Sequence, residues 1–195
     1  MLEGNSEDQP CFVVEGYKKG CTYKGLRQFD CGDKDINKYA KDNLKRDGER
    51  DHKNLFVLLN PENGDELVGF VSVHLSMLGR ESIPQGTFLH SLPPAVAVMK
   101  ISMIAVTKTY QKDGWGKTLL TAALDHVIDV ANVAVDIKGV TLDAKADVVE
   151  FYQRHRFTVI DDVPDENGTY SMFLSINELR ALDEKRKLLE RQEAS

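Results

Sequence analysis

The chain has 195 residues, 42% of them hydrophobic and 29% charged, with a formal net charge of −6. This length and composition are typical of one globular domain with its own core, and the acidic balance argues against a general nucleic-acid binder. No apolar run approaches the roughly 18 residues that span a bilayer, and the N-terminal residues lack the basic and apolar regions of a secretory signal. We therefore expect a cytoplasmic protein that makes no membrane contact.

The cysteines and histidines do not form a recognisable metal or redox motif. Cys11, Cys21 and Cys31 are evenly spaced, which fits neither a zinc site nor a C-x-x-C pair. The histidines are dispersed and include no H-x-x-x-H pair: His52, His74, His90, His126 and His155. We expect reduced thiols and no metal site.

The first third of the chain predicts one strand and one long helix. Residues 1–10 are polar and are expected to be a disordered N-terminus, whereas residues 11–14 suit a short strand. From Asp33 to Arg50 apolar residues recur at steps of three and four, which indicates an amphipathic helix.

The middle of the chain predicts a hairpin, a loop and a buried strand. Apolar stretches at residues 55–59 and 67–75 flank a cluster of turn-forming residues, as in a β-hairpin. Residues 78–94 contain Gly, Ser and Pro and are expected to be a loop. Residues 95–106 are apolar except for Lys100 and Ser102, which favours a buried central strand.

The last part of the chain alternates between helices and strands. Helices are predicted at residues 118–130 and 146–154, and strands at residues 139–142, 157–160 and 170–174. Ser175 and Glu178 form a capping box that predicts the start of a C-terminal amphipathic helix, residues 176–195. The order of these elements predicts a mixed α/β domain, residues 11–175, around one sheet.

A glycine-containing loop, Gln111 to Lys117, lies between a predicted strand and a predicted helix. Gly114 and Gly116 permit a positive φ and a close backbone approach to a ligand. The unpaired N–H groups at the start of the helix favour phosphate oxygens. The spacing is not that of a P-loop, and Leu119 fills the third glycine position of a dinucleotide motif. The loop therefore predicts a site for a pyrophosphate other than that of ATP or NAD.

Three segments carry a resemblance to a known family. Residues 104–116 resemble the acyl-CoA signature Q/R-x-x-G-x-G/A of GNAT N-acetyltransferases, and residues 150–157 resemble their F-Y-x-R-x-G-F element. Residues 26–32 resemble the F-x-C-G opening of the tRNA-acetylating GNAT toxins of bacterial toxin–antitoxin pairs. The resemblance extends from about Leu26 to Leu179, most of the chain.

The resemblance implies an α/β (α+β) GNAT fold: one mixed, mostly antiparallel central sheet with a splayed parallel strand pair, flanked by helices. The splay is expected between residues 104–106 and 140–142, with the pantetheine of acetyl-CoA in the gap. The cofactor-binding residues implied are Ile104, Ala105, Val106, Gln111, Lys112, Asp113, Gly114, Trp115, Gly116 and Lys117. The acetyl group would pass directly from acetyl-CoA to a primary amine.

Tyr152 is the catalytic residue that the resemblance implies. Its phenol, with an ordinary pKa near 10, would protonate the CoA thiolate as it leaves. The alternative is an aromatic side chain that merely packs against the sheet. Two residues depart from the family pattern, since Arg156 replaces a glycine and Lys145 an asparagine. No general base is evident; water-positioning candidates are His74, Glu81 and Asp143.

The uneven distribution of charge along the chain bears on the identity of the acceptor. Residues 17–53 contain eleven basic and seven acidic residues, although the whole chain is acidic. Together with the toxin resemblance, this excess favours the α-amine of an aminoacyl-tRNA as acceptor and an antitoxin as partner. The RNA-contacting residues would be Lys38, Lys41, Lys45, Arg46 and Arg50.

Several alternatives remain open for this segment and for the activity. The basic segment also fits a helix with ion pairs one turn apart. A GNAT enzyme that acts on protein or small-molecule amines and a non-catalytic acyl-CoA-binding regulatory module are the other functions. The C-terminal helix would dock on its own domain or form a homodimer.

Overall fold

The computed structural model describes residues 11–193, so the predicted disordered segment 1–10 lies outside the described residues. The strands within that range are β1 (Val13–Gly16), β2 (Asn54–Asn60), β3 (Glu66–Gly79), β4 (Ala95–Val106), β5 (Gly139–Lys145), β6 (Thr158–Val159) and β7 (Thr169–Ser175). The α-helices are α1 (Lys34–Asp42), α2 (Leu44–Glu49), α3 (Trp115–Val133), α4 (Val149–Arg154) and α5 (Ile176–Glu193).

These strands form one sheet in the order β1-β2-β3-β4-β5-β7-β6. β1 pairs with β2, β5 with β7 and β6 with β7 in antiparallel fashion, whereas β4 and β5 are parallel. Parallel neighbours need a long crossover, and α3 lies in the segment that connects β4 to β5. The structure confirms the predicted mixed, mostly antiparallel sheet flanked by helices.

The register of the parallel pair corrects one detail of the prediction. Met99–Ile101 of β4 pairs with Val140–Leu142 of β5. The splay was expected between residues 104–106 and 140–142. Residues 140–142 instead pair with the middle of β4, so the expected partners of the splay are wrong. The strand continues from Ser102 to Val106 beyond this register.

The chain divides into two compact units, and the described part of the first comprises residues 11–72 and 103–122. Its core is built around Phe70, which is fully buried. The Phe70 ring centroid lies 5.5 Å from that of Phe29 and 5.9 Å from that of Tyr39. Since Tyr39 belongs to α1, this aromatic contact fixes the first helix to the sheet.

The helix predicted at residues 33–50 is broken into two at Asn43. Asn43 has φ −123° and ψ −31°, outside the α-helical region. Before the break, the Asp33 side chain caps α1 by accepting two backbone N–H groups. After it, α2 buries Asp47, whose carboxylate accepts a 3.0 Å hydrogen bond from the Tyr39 hydroxyl. Apolar spacing alone does not reveal the break, because Leu44 continues the buried stripe across it.

Gly69 in β3 faces the end of β4. A Cβ atom at this position would lie 2.7 Å from the carbonyl oxygen of Ala105 and 3.0 Å from Cδ1 of Leu119. Carbon atoms in van der Waals contact are normally about 3.5–4.0 Å apart. Only glycine therefore lets the end of β4 and the start of α3 approach β3 this closely.

The second unit comprises, among the described residues, 73–102 and 123–193. Its core includes Val98 of β4 and Phe173 of β7, both buried, with Ile83 from the turn that follows β3. β3 extends to Gly79, four residues beyond the predicted end, so the predicted loop 78–94 begins later. β6 has only two residues where four were predicted.

The last helix begins where the capping box predicted. The Ser175 hydroxyl accepts a 3.2 Å hydrogen bond from the backbone N–H of Glu178. Arg186 of α5 forms a two-point ion pair with Asp125 of α3, at 2.7 and 3.2 Å. Arg180 adds a 3.0 Å bond to the carbonyl of Ala131. The helix thus docks on its own chain, while the predicted domain boundary at residue 175 stays a prediction.

Candidate active site

The end of β4 leads into the glycine loop through one helical turn. Ala105 and Val106 are buried and Ile104 is partly exposed. The backbone N–H of Thr107 donates to the carbonyl of Val68 in β3 at 2.7 Å, so the strand is held in place up to its last residue. A 3-10 turn at Lys108–Tyr110 then carries the chain into the loop.

The loop uses positive φ angles at two positions, which are not both those expected. Gly114 has φ +87° as predicted, but the second such residue is Lys112, at φ +73°. Gly116 does not have a positive φ and lies in the first turn of α3. Of the two glycines that permit a positive φ, only Gly114 uses it. A Cβ atom at either glycine would meet nothing within 4 Å, so both face open space.

The start of α3 offers backbone N–H groups to this open space. The N–H groups of Lys117 and Thr118 donate to the Gly114 carbonyl at 2.9 and 3.2 Å, which closes the first turn. Helix N-termini leave their first N–H groups unpaired within the helix and carry a positive partial charge. With the glycine gaps at positions 114 and 116, this geometry suits a phosphate-bearing ligand.

The side chain of Gln111 is engaged within the protein. Its amide nitrogen donates to the carbonyl of Cys31 at 2.8 Å and to that of Val106 at 2.9 Å. This explains why a long side chain with an N–H donor opens the signature: it fastens the loop to the end of β4 and to a preceding segment. The Gln111 side chain thus stabilises the loop through contacts with the protein itself.

An aromatic cluster supports the other side of the loop. The ring centroid of Trp115 lies 4.6 Å from that of Phe12, and Tyr110 packs edge-on against Phe12 at 4.8 Å. Phe12 is buried at the centre of the cluster, whereas Tyr110 and Trp115 are partly exposed. Trp115 thus packs against Phe12, and its contact with the cofactor stays a prediction.

Tyr152 lies in α4 and is buried among aromatic side chains. It is 6% exposed, and its ring centroid lies 5.0 Å from that of Phe151 and 5.8 Å from that of Phe157. Burial raises the pKa of the Tyr152 phenol above its ordinary value, because the charged phenolate is poorly solvated there. The phenol is therefore neutral over the physiological pH range.

Arg156 follows α4 in the left-handed conformation, with φ +70°. The helix end is closed by hydrogen bonds from the N–H groups of His155 and Phe157 to the Tyr152 carbonyl, at 2.9 and 3.1 Å. The replacement of the family's glycine by Arg156 therefore does not change the backbone conformation of this turn. The chain retains the glycine-type conformation and accepts the strain of a side chain in it.

Substitution of Arg156 by glycine is expected to raise the free energy of unfolding by about 0.5–1 kcal/mol, since glycine adopts a positive φ without steric strain. Urea denaturation with an unchanged m-value provides the measurement. Gln153→Gly, one turn earlier in α4, is the matched control and is expected to lose about 0.5–1 kcal/mol. A destabilised Arg156→Gly variant would contradict the assignment.

A row of polar side chains crosses the strands of the second unit. The Ser102 hydroxyl and Nδ1 of His74 share a 2.8 Å hydrogen bond. Asp143 receives Lys100 Nζ at 2.7 Å and the Ser171 hydroxyl at 2.8 Å. Sequence reasoning missed these pairings. The available signal was the presence of Lys100 and Ser102, two residues apart and so on one face of an otherwise apolar strand.

The three water-positioning candidates differ in their surroundings. His74 and Asp143 belong to the polar row just described, whereas Glu81 is exposed in a 3-10 turn after β3. Asp143 is committed to an ion pair with Lys100. The ring of His74 contacts the Ser102 hydroxyl through Nδ1, and the water-positioning role of all three stays a prediction.

The five basic residues predicted to contact RNA are all exposed. Lys38 and Lys41 lie in α1 and Lys45 and Arg46 in α2, while Arg50 follows directly. Nη2 of Arg46 lies 3.5 Å from the buried Asp47 carboxylate, which also has Lys53 at 3.9 Å. These five side chains, here called the basic surface, lie near two exposed acids, Asp35 and Asp42.

Among the described residues, no group of three or more His, Cys, Asp or Glu side chains is arranged to hold a metal ion. Within residues 11–193, no helix combines the length and apolar character needed to cross a membrane.

A family model described as the acetyltransferase (GNAT) domain matches residues 21–172. The chain therefore belongs to the GNAT acetyltransferase family. It is an acyltransferase, and its acyl donor is acetyl-CoA, as the resemblance of its motifs implied.

Solved structures with the same fold include bacterial toxins. A bacterial toxin is 31% identical, with 90% of this chain and 97% of that chain covered and a TM-score of 0.84. The toxin AtaT complexed with acetyl-methionyl-tRNAfMet is 20% identical over 88% of this chain and 99% of that chain, with a TM-score of 0.77. A tyrosine-to-phenylalanine mutant of AtaT, bound to the C-terminus of the antitoxin AtaR and acetyl-CoA, is 20% identical, with coverages of 88% and 97% and a TM-score of 0.70.

Proposed function

We propose that this acetyltransferase transfers the acetyl group of acetyl-CoA to the α-amine of an aminoacyl-tRNA. The observation that carries the proposal is the exposed basic surface of α1 and α2 on an acidic protein. A surface that attracts phosphates is unnecessary for a free amino acid or a polyamine, whereas a tRNA carries a phosphate at every nucleotide. The similarity to AtaT, whose complex contains acetyl-methionyl-tRNAfMet, supports this choice.

The cofactor residues have distinct roles in the proposal. Backbone groups of Ile104, Ala105 and Val106 hold pantetheine and polarise the thioester carbonyl. The loop from Gln111 to Lys117 holds the pyrophosphate through the N–H groups at the start of α3, and the lysine side chains of the loop add positive charge. The open space at Gly114 and Gly116 lets the phosphates approach the backbone.

The reaction is a direct transfer. The neutral α-amine attacks the thioester carbonyl carbon, a C–N bond forms, and the C–S bond breaks as the CoA thiolate leaves. Tyr152 donates its hydroxyl proton to the thiolate, and the proton lost by the amine passes to water held near His74. Water returns a proton to Tyr152, so the phenol is neutral again at the end of the cycle. An α-amine with a pKa of about 7.7–8.0 is partly neutral at physiological pH, so a strong base is unnecessary.

The biological consequence follows from the acceptor. An acetylated α-amine is no longer a nucleophile, so an aminoacyl-tRNA modified in this way cannot extend a peptide. The protein would then inhibit translation in the cytoplasm as a toxin. Its expected partner is an antitoxin with acidic residues that cover the basic surface, in keeping with the AtaT complex that contains part of AtaR. A homodimer remains a prediction.

A second acceptor class is favoured by one observation. A cavity of about 380 Å³ in the second unit is lined by Asp161, Asp162, Val163, Asp165, Thr169 and Ser171. Its three carboxylates would attract a small polycationic amine. Acetylation of a polyamine is therefore the alternative activity. A catalytically silent acyl-CoA-binding module is the third, distinguished by acetyl-CoA binding without turnover.

The test is to incubate the protein with radiolabelled acetyl-CoA and a total cell extract that contains charged tRNA, and then to separate RNA, protein and small molecules. Label is expected in the RNA fraction and should be released by mild base as an N-acetylamino acid. Extract whose tRNA has been deacylated is the control and should take up no label. Label confined to proteins or polyamines would reject the tRNA proposal.

A further inference from the structure

Asp30 lies in the segment before α1 and contacts the chain that leads from β4 into the acyl-CoA loop. Its carboxylate oxygen Oδ2 accepts Lys108 Nζ at 2.9 Å. Its backbone carbonyl accepts the Lys108 N–H at 2.9 Å and the Thr107 hydroxyl at 3.3 Å. One residue thus holds two successive positions of the loop approach, 77 and 78 residues away in sequence.

The other carboxylate oxygen of Asp30 is directed toward α1. Oδ1 accepts the Gly32 N–H at 2.9 Å and the Asn37 side-chain amide at 2.7 Å. Asn37 in turn accepts the Cys31 N–H at 2.8 Å. The Cys31 carbonyl then receives the side chain of Gln111. These hydrogen bonds form a network, here called the Asp30 clasp. Its side chains are those of Asp30, Asn37, Lys108 and Gln111, and the backbone of Cys31 links Asn37 to Gln111.

The Asp30 clasp joins the two surfaces that the proposed function requires. Asn37 immediately precedes Lys38 in α1, the first of the basic residues assigned to RNA. Lys108 and Gln111 lead into and open the loop assigned to the pyrophosphate. The Asp30 carboxylate is ionised at any working pH, since Lys108, Gly32 and Asn37 lower its pKa to about 2. The loop approach and the first turn of α1 are therefore joined through the two oxygens of one carboxylate.

We propose that Asp30 is a positioning residue that holds the acyl-CoA loop in its binding geometry and couples acetyl-CoA binding to RNA binding on α1. The coupling part rests on the proposed function. Each ligand orders the segment that the other one needs, so the second to bind meets a surface that is already arranged. Linkage requires the effect to be equal in both directions.

The Asp30→Asn variant tests the proposal. It keeps the side-chain shape and an oxygen acceptor but loses the charge that binds Lys108. The KM for acetyl-CoA is expected to rise about three- to fivefold, because the Asp30–Lys108 pair is largely exposed and exposed ion pairs contribute little, with kcat at saturation within about twofold. Binding of charged tRNA, measured with and without CoA, should be strengthened about fivefold by CoA in the native protein. That enhancement should disappear in the variant.

Asp42→Asn is the matched control. Asp42 is an exposed acid at the end of α1, so the variant has the same change in net charge near the same basic surface. It is expected to keep both the native KM for acetyl-CoA and the native CoA enhancement of tRNA binding. Equal changes in the two variants would show a charge effect only and would overturn the proposal, as would native values in Asp30→Asn.

A second pair of variants tests the same ion pair from the Lys108 side. Lys108→Met removes the positive charge of the same ion pair and should reproduce the Asp30→Asn effects. Lys108→Arg keeps that charge, so its KM for acetyl-CoA and its CoA enhancement of tRNA binding should be closer to native than those of Lys108→Met. Calorimetric binding of CoA in the absence of RNA tests the positioning role alone. If tRNA is not an acceptor but Asp30→Asn still weakens CoA binding, the proposed function fails and the positioning role stands.

Discussion

Substitution of Tyr152 by phenylalanine is expected to lower kcat by about 100- to 1000-fold, the range for loss of a proton donor. Binding of acetyl-CoA should stay within about twofold of native, because the ring and its aromatic contacts are retained. The physical reason is that the CoA thiolate develops charge only as the C–S bond breaks. A neutral, buried hydroxyl stabilises this charge in the transition state and does little for the bound substrate.

Two measurements separate this role from simple packing. Steady-state kinetics give kcat, and calorimetry gives the affinity for acetyl-CoA. Tyr170→Phe, a partly buried tyrosine in β7, is the control and should have native turnover. For the native enzyme, kcat/KM should rise to about pH 8 as the acceptor amine loses its proton. It should not fall again below about pH 10, because burial keeps Tyr152 protonated there. Turnover near native in Tyr152→Phe would remove Tyr152 from the mechanism.

Reversal of two charges on the basic surface, Lys41→Glu together with Arg46→Glu, is expected to weaken charged-tRNA binding by at least about 100-fold at low salt. Each side chain that meets a phosphate contributes about one unit to the slope of log affinity against log salt, so the slope should become shallower by about two. The acetyl-CoA affinity should not change, since neither side chain belongs to the acyl-CoA loop.

Binding titrations at several salt concentrations provide this measurement. The control is Arg80→Glu with Lys185→Glu, two exposed residues of the second unit, which gives the same change in net charge at other places. An equal loss in the control would mean that net charge, and not this surface, governs binding. An unchanged salt slope in Lys41→Glu, Arg46→Glu would place the RNA elsewhere.

The sequence predicted the elements whose pattern is local. β4 begins and ends where the mostly apolar run 95–106 does, because such a run favours a central strand of a sheet. The glycine loop and the start of α5 were also predicted, since turn and capping residues act over three or four positions. The break at Asn43 was not, because the buried side of the helix continues across it.

The candidate site was predicted in its parts but not in its connections. Tyr152 and the loop were found from short motifs. The Asp30 contact with Lys108 and the pairing of His74 with Ser102 join residues 78 and 28 positions apart. No local pattern specifies which polar side chains meet across strands, because that depends on register. The burial that raises the pKa of Tyr152 likewise depends on the tertiary packing of Phe151 and Phe157.

Gly69 is a position where substitution is strongly restricted, and this restriction can be used to control the protein experimentally. The position tolerates no added carbon, because the atoms it would meet include a backbone carbonyl of the cofactor strand. A methyl group there would displace that strand, although it would remove none of the residues assigned to binding or catalysis. Such a substitution is a route to a conditional allele, folded and active when cool and silent when warm. Under the proposed function, the enzyme could then be produced in quantity before it is switched on.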